Sequence, residues 1–293
     1  MNILIAGGTG FIGSYLKTGF EKSGDRVSIV SRGENSISWQ KEALINALEQ
    51  ADVLINLAGK NINCRHNQAN KMNILNSRID TTLLLGEAIR NCKNPPELWI
   101  NASASAIYEP NENNASTESS AVYGTGFLAD VVRQWEKVFF DFKFPSTRQV
   151  TLRTSVVLGR HSGAFPSLLN ITRFGLGGKA GNGRQIFSWI HIEDYYRIVK
   201  FIIQNSALSG PVNCTSPSPV TNAELMKTMR RHTGMPVGLP APVFAVKIGA
   251  KLIGTESDLL LESSNLYPEV LVNSGFGFKF STVGDAIDDL IKR

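Results

Sequence analysis

The stretch "NILIAGGTGFIG" near the N-terminus constrains this chain more than any other. A short apolar run ends at Ala6, glycines follow at positions 7, 8, 10 and 13, and a helical pattern runs from Phe11 to Lys22. A strand that turns through glycines into a helix aims the helix's first N–H groups at whatever lies above the turn. The missing side chains let that group come close to the backbone. A pyrophosphate suits this arrangement, so the motif predicts a dinucleotide site on Gly7, Gly10 and Gly13 rather than a purely structural turn.

The rest of the first half agrees with that start. "RVSIVS", "DVLINLAG", "ELWINAS" and "QVTLRTSVVLG" read as buried strands, being short, apolar and bounded by turn residues. Helical patterns lie between them at 11–22, 42–49, 71–90 and 128–140. This alternation predicts an α/β fold, a doubly wound parallel sheet of the Rossmann kind. After Gly159 the texture changes to glycine-rich and proline-broken segments. A chain of 293 residues allows one large or two unequal domains. The expected division is a dinucleotide-binding domain over 1–160, completed by about 186–206, and a smaller C-terminal α/β substrate lobe from 161–185 and 207–293. The lobe would lie over the carboxyl edge of the sheet.

The end of the second strand discriminates between cofactors. An acidic side chain there would bond the adenosine ribose and repel a 2′-phosphate, but this chain offers Ser31 and Arg32, with Gly33 next. A guanidinium matches a phosphate in charge and geometry, and a hydroxyl adds a further bond, so NADP is expected over NAD. The plain alternative is that Arg32 is a solvated loop residue. At the end of the third strand "NLAG" places Leu57, Ala58 and Gly59 where backbone passes close to the same ligand.

Bulk properties exclude several classes. The net charge is +5 and no run of Lys and Arg is longer than two, which argues against a nucleic-acid partner. Three cysteines (Cys64, Cys92, Cys214) stand at unrelated spacings, which suggests a reducing compartment, and no His/Cys/Asp/Glu spacing suggests a metal. The N-terminal apolar run is too short for a secretory signal, and no uncharged stretch is long enough to span a bilayer. A cytoplasmic protein without a membrane partner is expected. Oligomeric state is not legible.

Taken in order, "GGTGFIG", "VSRG", "NLAG", "NSRIDTT", "NASASAIY", "LRTSVVLG", "GLGGKAGNGRQIFSWIHIEDY", "GPVNCTSPSPVTNAE" and "LLLESSNLYPEVLVNSGFGFKF" resemble the atypical and extended short-chain dehydrogenase/reductase superfamily, in its NAD-dependent epimerase/dehydratase-like branch. The resemblance runs nearly the whole chain. It implies an NADP-binding Rossmann domain with a small C-terminal substrate lobe. By position it places Thr9, Gly10, Phe11 and Ile12 at the pyrophosphate, Ser31 and Arg32 at the 2′-phosphate, and Ala58 and Gly59 beside the adenosine half. Arg78, with Asn73 about a turn earlier, would reach cofactor phosphate or ribose; a surface residue paired with Asp80 or Glu87 is the alternative. The backbone from Ser155 to Val157 would line the nicotinamide side.

Active members of the superfamily carry a Tyr and, four residues on, a Lys on one helix face, where the Lys lowers the Tyr pKa for proton transfer. The corresponding stretch here is "VYGTGFLADVVRQWEKV", in which Tyr123 is followed by Phe127, so the pair is missing. A Tyr196–Lys200 spacing occurs on a later helix and reads as chance. The remaining candidates are Ser103, at the fourth strand's end where the superfamily places a substrate-orienting hydroxyl, and Tyr108 on the loop after it. Their plain alternatives are a turn residue and a packed ring. His191 and Asp194 read as loop-fixing, His66 as a weak candidate, and Arg184 equally as an anion clamp or a solvated tip. Two functions remain open: an NADP-dependent oxidoreductase or nucleoside-sugar-epimerase-like protein acting on a small-molecule substrate, and a non-catalytic NADP(H)-binding sensor or scaffold.

Overall fold

A computed structural model of the chain describes residues 1–119, 122–254 and 256–292. The first half alternates strands and helices: β1 (Asn2–Ala6), α1 (Phe11–Lys22), β2 (Arg26–Val30), α2 (Lys41–Leu48), β3 (Val53–Asn56), α3 (Gln68–Arg90), β4 (Leu98–Ala104), α4 (Phe127–Asp141) and β5 (Arg148–Thr154). There follow β6 (Val156–Leu158), α5 (Phe165–Arg173), β7 (Ile186–Phe187), β8 (Trp189–His191), α6 (Ile192–Gln204), β9 (Gly210–Cys214), β10 (Val220–Thr221) and α7 (Asn222–Thr233). The chain ends in α8 (Val243–Ile253), α9 (Asp258–Leu261), α10 (Glu269–Asn273) and α11 (Val283–Lys292).

The main sheet has the order β2-β1-β3-β4-β5-β9 with every pairing parallel. Because strand side chains alternate between faces, β1 feeds two cores. Ile3 and Ile5 pack with Leu16 and Phe20 of α1 and with Tyr195 and Ile198 of α6. Leu4 and Ala6 pack on the other side with Leu44 of α2, Leu85 of α3 and Phe139 of α4. Burial on both faces explains why "VLIN" in β3 is buried at all four positions. The strand order reverses between β1 and β3, and their carboxyl ends lie next to the N-terminus of α1, the usual crevice for a ligand in this architecture.

Two departures from the sequence reading have local causes. "QVTLRTSVVLG" is two strands broken at Ser155: β5 stays in the main sheet, while β6 leaves it to pair in parallel with β8 through Val156 and Trp189. The sheet's sixth strand, β9, lies within the proline-broken stretch assigned to the lobe. Pro211 is tolerated because β9 is an edge strand bonded only to β5, so its missing N–H interrupts no second ladder. The lobe has its own core, in which Phe165, Leu225, Met229, Phe280, Val283 and Ile287 meet Leu158 and Trp189. Among the described residues no helix is long and apolar enough to cross a membrane.

Candidate dinucleotide and substrate site

The glycine turn is shaped from both sides. Gly7 has φ 74°, a left-handed conformation, and a Cβ there would lie 2.8 Å from the backbone of Ala58. A Cβ on Gly13 would lie 2.6 Å from Gly8 Cα, so the helix and the turn touch through their main chains. A Cβ on Gly10, by contrast, meets nothing nearer than Gly7 O at 3.6 Å. The cradle is therefore tight underneath and open above. Gly10 is the N-cap of α1, no side chain caps the helix, and its first turn carries no acid. The orphan N–H groups and the positive end of the helix dipole suit a pyrophosphate.

At the end of β2 the Ser31 hydroxyl is buried. It accepts from the Gly33 N–H at 3.0 Å and shares a 2.8 Å bond with Ser36, whose own proton goes to Gly33 O at 2.6 Å. Ser31 therefore spends its proton shaping the loop, and any donation to a 2′-phosphate would fall to Arg32. The Arg32 side chain is exposed and makes no hydrogen bond or ion pair among the described residues. It is the strand-end cation that a 2′-phosphate would need, with no carboxylate competing for it.

At the end of β3 the buried Asn56 fixes the "NLAG" turn. Its Oδ1 accepts from the Ala58 N–H at 3.1 Å and its Nδ2 donates to Asn101 Oδ1 at 2.7 Å. Leu57 is half-buried and Gly59 is exposed, with the Arg78 guanidinium lying against it; a Cβ on Gly59 would stand 3.2 Å from Arg78 Cζ. Arg78 is not paired with Asp80 or with Glu87, which bonds Arg90 instead. It donates to Lys60 O at 3.1 Å and Ile74 O at 2.9 Å and lies 5.2 Å over the Trp135 ring. Burial lowers its pKa to about 10, which leaves it a cation at neutral pH. Asn73 is exposed a little over one turn earlier on α3.

Beside the ends of β4, β5 and β6 lies a cavity of about 650 Å³ lined by Ala104, Ser105, Tyr108, Thr154, Ser155 and Val156 from the sheet side. Ile62, His66, Lys71 and Phe127 close it toward α3 and α4, and Glu256, Asp258 and Glu262 to Leu266 come from the lobe. Val157, by contrast, turns its side chain into the core. Thr9, Gly10 and Phe11 border a second cavity of about 560 Å³ with Arg160, His161 and His191. Ile12 is half-buried and packs against the core.

The two candidate hydroxyls belong to one buried network. Ser103 Oγ donates to Glu136 Oε1 at 2.6 Å, and Arg153 grips the same carboxylate through Nε at 2.9 Å and Nη2 at 2.8 Å. Arg153 Nη1 donates to the Tyr108 OH at 2.8 Å, and that hydroxyl donates to Asn213 Oδ1 at 2.8 Å. Burial alone would pull the Arg153 pKa down, but the bonds and charge of Glu136, with help from Tyr108, raise it on balance. Burial also raises the Tyr108 pKa against the opposing pull of Arg153, so the phenol stays protonated. Tyr108 reaches the cavity wall, whereas Ser103 faces Glu136 beneath it. Neither Glu136 nor Arg153 figures among the sequence candidates. The available signals are an arginine inside the apolar strand "VTLRTS" and a glutamate at the buried helical positions 132, 136 and 139.

Most of the other candidates serve the scaffold. Tyr196 belongs to an α1–α6 contact: its OH donates to Gly19 O at 3.1 Å and its ring packs on Phe20. His191 caps α6, its Nδ1 accepting from the Glu193 N–H at 3.1 Å, and Asp194 accepts from the Lys279 and Phe280 N–H groups, so both hold loops. Arg184 is 77% exposed and 3.8 Å from Glu112, a solvated tip. His66 lines the cavity with its ring on Ile62 O and its N–H on Glu256.

These features define a dinucleotide-binding α/β protein with a second lobe over the carboxyl edge of its sheet, and the comparisons with known proteins narrow that class. The NAD dependent epimerase/dehydratase family matches residues 3–214, and the domain of unknown function DUF1731 matches 241–290. The chain belongs to the NAD-dependent epimerase/dehydratase family. It is 36% identical over 299 residues to the mouse epimerase family protein SDR39U1, covering 99% of this chain and 100% of that one. It is 35% identical to the Bacillus subtilis epimerase family protein YfhF, covering 99% and 98%. The crystal structure of human SDR39U1 with NADPH superposes with a TM-score of 0.91 at 34% identity, covering 99% of both chains. A nucleoside-diphosphate sugar epimerase from Corynebacterium glutamicum gives 0.79 at 28% identity, covering 98% of this chain and 57% of that one.

Proposed function

We propose that this protein binds NADP(H) across the ends of β1, β2 and β3 and acts on a small molecule held in the cavity between the sheet and the C-terminal lobe. The observation that carries the reading is the unpaired Arg32 at the end of β2, beside an uncapped glycine cradle and with no acid in the ribose position. The NADPH in the human relative supports the same choice. Thr9 to Gly13 would meet the pyrophosphate, Arg32 the 2′-phosphate, and Arg78 a phosphate or ribose oxygen near the "NLAG" turn. When bound, the cofactor supplies hydride chemistry, which makes an oxidoreductase or epimerase-like reaction the leading activity. Tyr108, protonated and held by Arg153, is the residue placed to orient a substrate oxygen.

A second reading, NADP(H) binding without turnover, is favoured by one specific observation. No lysine follows Tyr123 by four residues, Tyr123 itself lies before α4, and the protons of Ser103 and Tyr108 are both committed inside the protein. Titration of the purified protein with NADPH and NADH, repeated on Arg32→Asp, tests the binding claim. NADPH should bind at least about tenfold more tightly than NADH, a difference of about 1.4 kcal/mol, and the substitution should abolish that preference. If the two nucleotides bind alike in the wild type, the assignment of Arg32 fails. A carbonyl panel with NADPH then separates the two readings by turnover.

A further inference from the structure

The α8 helix carries its bulk on the outside. Its less exposed positions carry small or medium residues, Ala245, Val246, Gly249 and Ala250, of which only Ala250 is buried. Phe244, Ile248 and Leu252 stand in solvent at 67%, 57% and 81% exposure. Spaced by four, these three form one row along the helix, and the exposed Lys247 and Lys251 form the row beside it. A helix folded to suit its own lobe would turn the large apolar row inward.

Further exposed apolar side chains lie on the segments that lead into the helix. The segment before α8 runs alongside the loop after α5, with the Leu239 N–H bonded to Gly175 O at 2.9 Å and the Ala241 N–H to Lys179 O at 2.9 Å. Those bonds hold the backbone at the exposed Leu239 beside the backbone that carries the exposed Phe174 and Leu176. Segments 165–181 and 230–254 together contain Arg173, Lys179, Arg230, Arg231, Lys247 and Lys251 and no Asp or Glu. None of these cations is paired with a carboxylate among the described residues. The acids that come next in the chain, Glu256, Asp258 and Glu262, line the inner cavity instead. Around α8, then, the nearest acids in sequence line the cavity, while the exposed Lys247 and Lys251 flank the apolar row.

An exposed apolar patch of this extent marks an interaction site. Two-fold pairing with a second copy would set one copy's Lys247 and Lys251 against the other's cations, with no acid on either face to answer them. A lipid surface asks for what is present: apolar side chains that enter the acyl boundary and lysine stems that carry their charges to phosphate headgroups. We infer that the α8 face docks on an anionic bilayer surface, with the helix lying in the interface plane. At 11 residues it is too short to cross. The expectation of no membrane partner rested on the lack of a spanning segment, and an interfacial site needs none.

The test is co-sedimentation of the full chain with vesicles of phosphatidylcholine alone or with about one-third phosphatidylglycerol, the anionic lipid whose surface potential draws basic side chains. Binding is expected to the anionic vesicles only and to weaken with salt. Lys247→Gln with Lys251→Gln should weaken it about thirtyfold, at about one factor of five per basic residue near the surface. Phe244→Ser with Leu252→Ser should abolish it. An unchanged thermal unfolding midpoint shows that each variant remains folded. The inference is overturned if anionic vesicles leave the wild type in solution, whether because an acidic protein or a second copy covers the face. It is equally overturned if both folded variants bind as the wild type does.

Discussion

Glu136→Gln removes one charge from the network beneath the cavity and leaves its shape almost unchanged. Arg153 and Glu136 are 3% and 7% exposed, and the carboxylate accepts three bonds, two from Arg153 and one from Ser103. Without the negative charge the guanidinium keeps only neutral partners, the Tyr108 OH and the new amide oxygen. Breaking one side of a buried pair costs about 3–5 kcal/mol, and the retained amide acceptor places this case near the lower end. A loss of about 3 kcal/mol is a large share of a total stability of about 5–15 kcal/mol. For a chain of this size it should lower Tm by about 6–9 °C. Thermal and urea unfolding followed by circular dichroism measure it. Glu136→Leu combined with Arg153→Met removes both charges and should cost less than Glu136→Gln alone, because no uncompensated charge remains. A Glu136→Gln variant within about 1 kcal/mol of the wild type, close to the scatter of an ordinary surface substitution, would refute the claim that this charge pair is desolvated.

Two further substitutions probe the cradle and the lobe contact. Gly13→Ala forces its methyl to within 2.6 Å of Gly8 Cα, which is main chain and cannot swing away. It should cost about 1–3 kcal/mol of stability and weaken NADPH binding, and a variant matching the wild type in both titration and melting would show the cradle to be looser than described. His191, stacked on Phe280 and facing Asp289, Asp194, Glu193 and Lys279, has a pKa lowered by burial, which outweighs those carboxylates. The unfolded chain therefore takes up this proton at higher pH than the folded one. Its stabilisation is complete above the ordinary histidine value of about 6.5 and is lost as pH falls from there toward the folded value. His191→Asn keeps a cap acceptor without a titrating ring. Melting this variant and the wild type at about pH 7.5 and 5.5 should show a smaller acid-induced drop in the variant. Equal drops would assign the acid sensitivity elsewhere.

The parts legible in the sequence are those where one local rule acts alone. β1, the glycine turn and α1 succeed one another in the quoted pattern, and α3 and α4 begin within a few residues of their periodic segments. The α8 face escaped because an apolar helix reads as buried until its neighbours show which side is covered. β9 escaped because Pro211 argues against a strand unless the strand is known to be an edge. The network escaped for a different reason. Arg153 and Glu136 are each unremarkable as letters, and only the packing of α4 on β4 and β5 brings them within bonding distance. The place of Arg32 at the end of β2 was legible because it depends on the position of one strand alone. The bonding of Ser31 was not, since it meets Ser36 through a turn no pattern specifies.

Hydrogen bonds connect Tyr108, at the cavity wall, to the segment that leads into α10. Its OH accepts from Arg153 and donates to Asn213 Oδ1, so it can pass a hydrogen bond to a substrate oxygen only by releasing Asn213. Asn213 is itself anchored. Its N–H donates to the half-buried Glu118 at 2.8 Å, and that carboxylate also accepts from the Glu269 N–H at 3.1 Å and, more weakly, from the Val270 N–H at 3.4 Å. Its Nδ2 donates to Tyr267 O at 3.0 Å. Residues 267–270 enter α10 directly after the lobe segment that walls the cavity. A substrate that takes the Tyr108 proton leaves the Asn213 oxygen to find another donor, in a group bonded on two sides to that same segment. The cost of leaving Asn213 Oδ1 without its Tyr108 donor would therefore be set against any substrate's gain from the phenol.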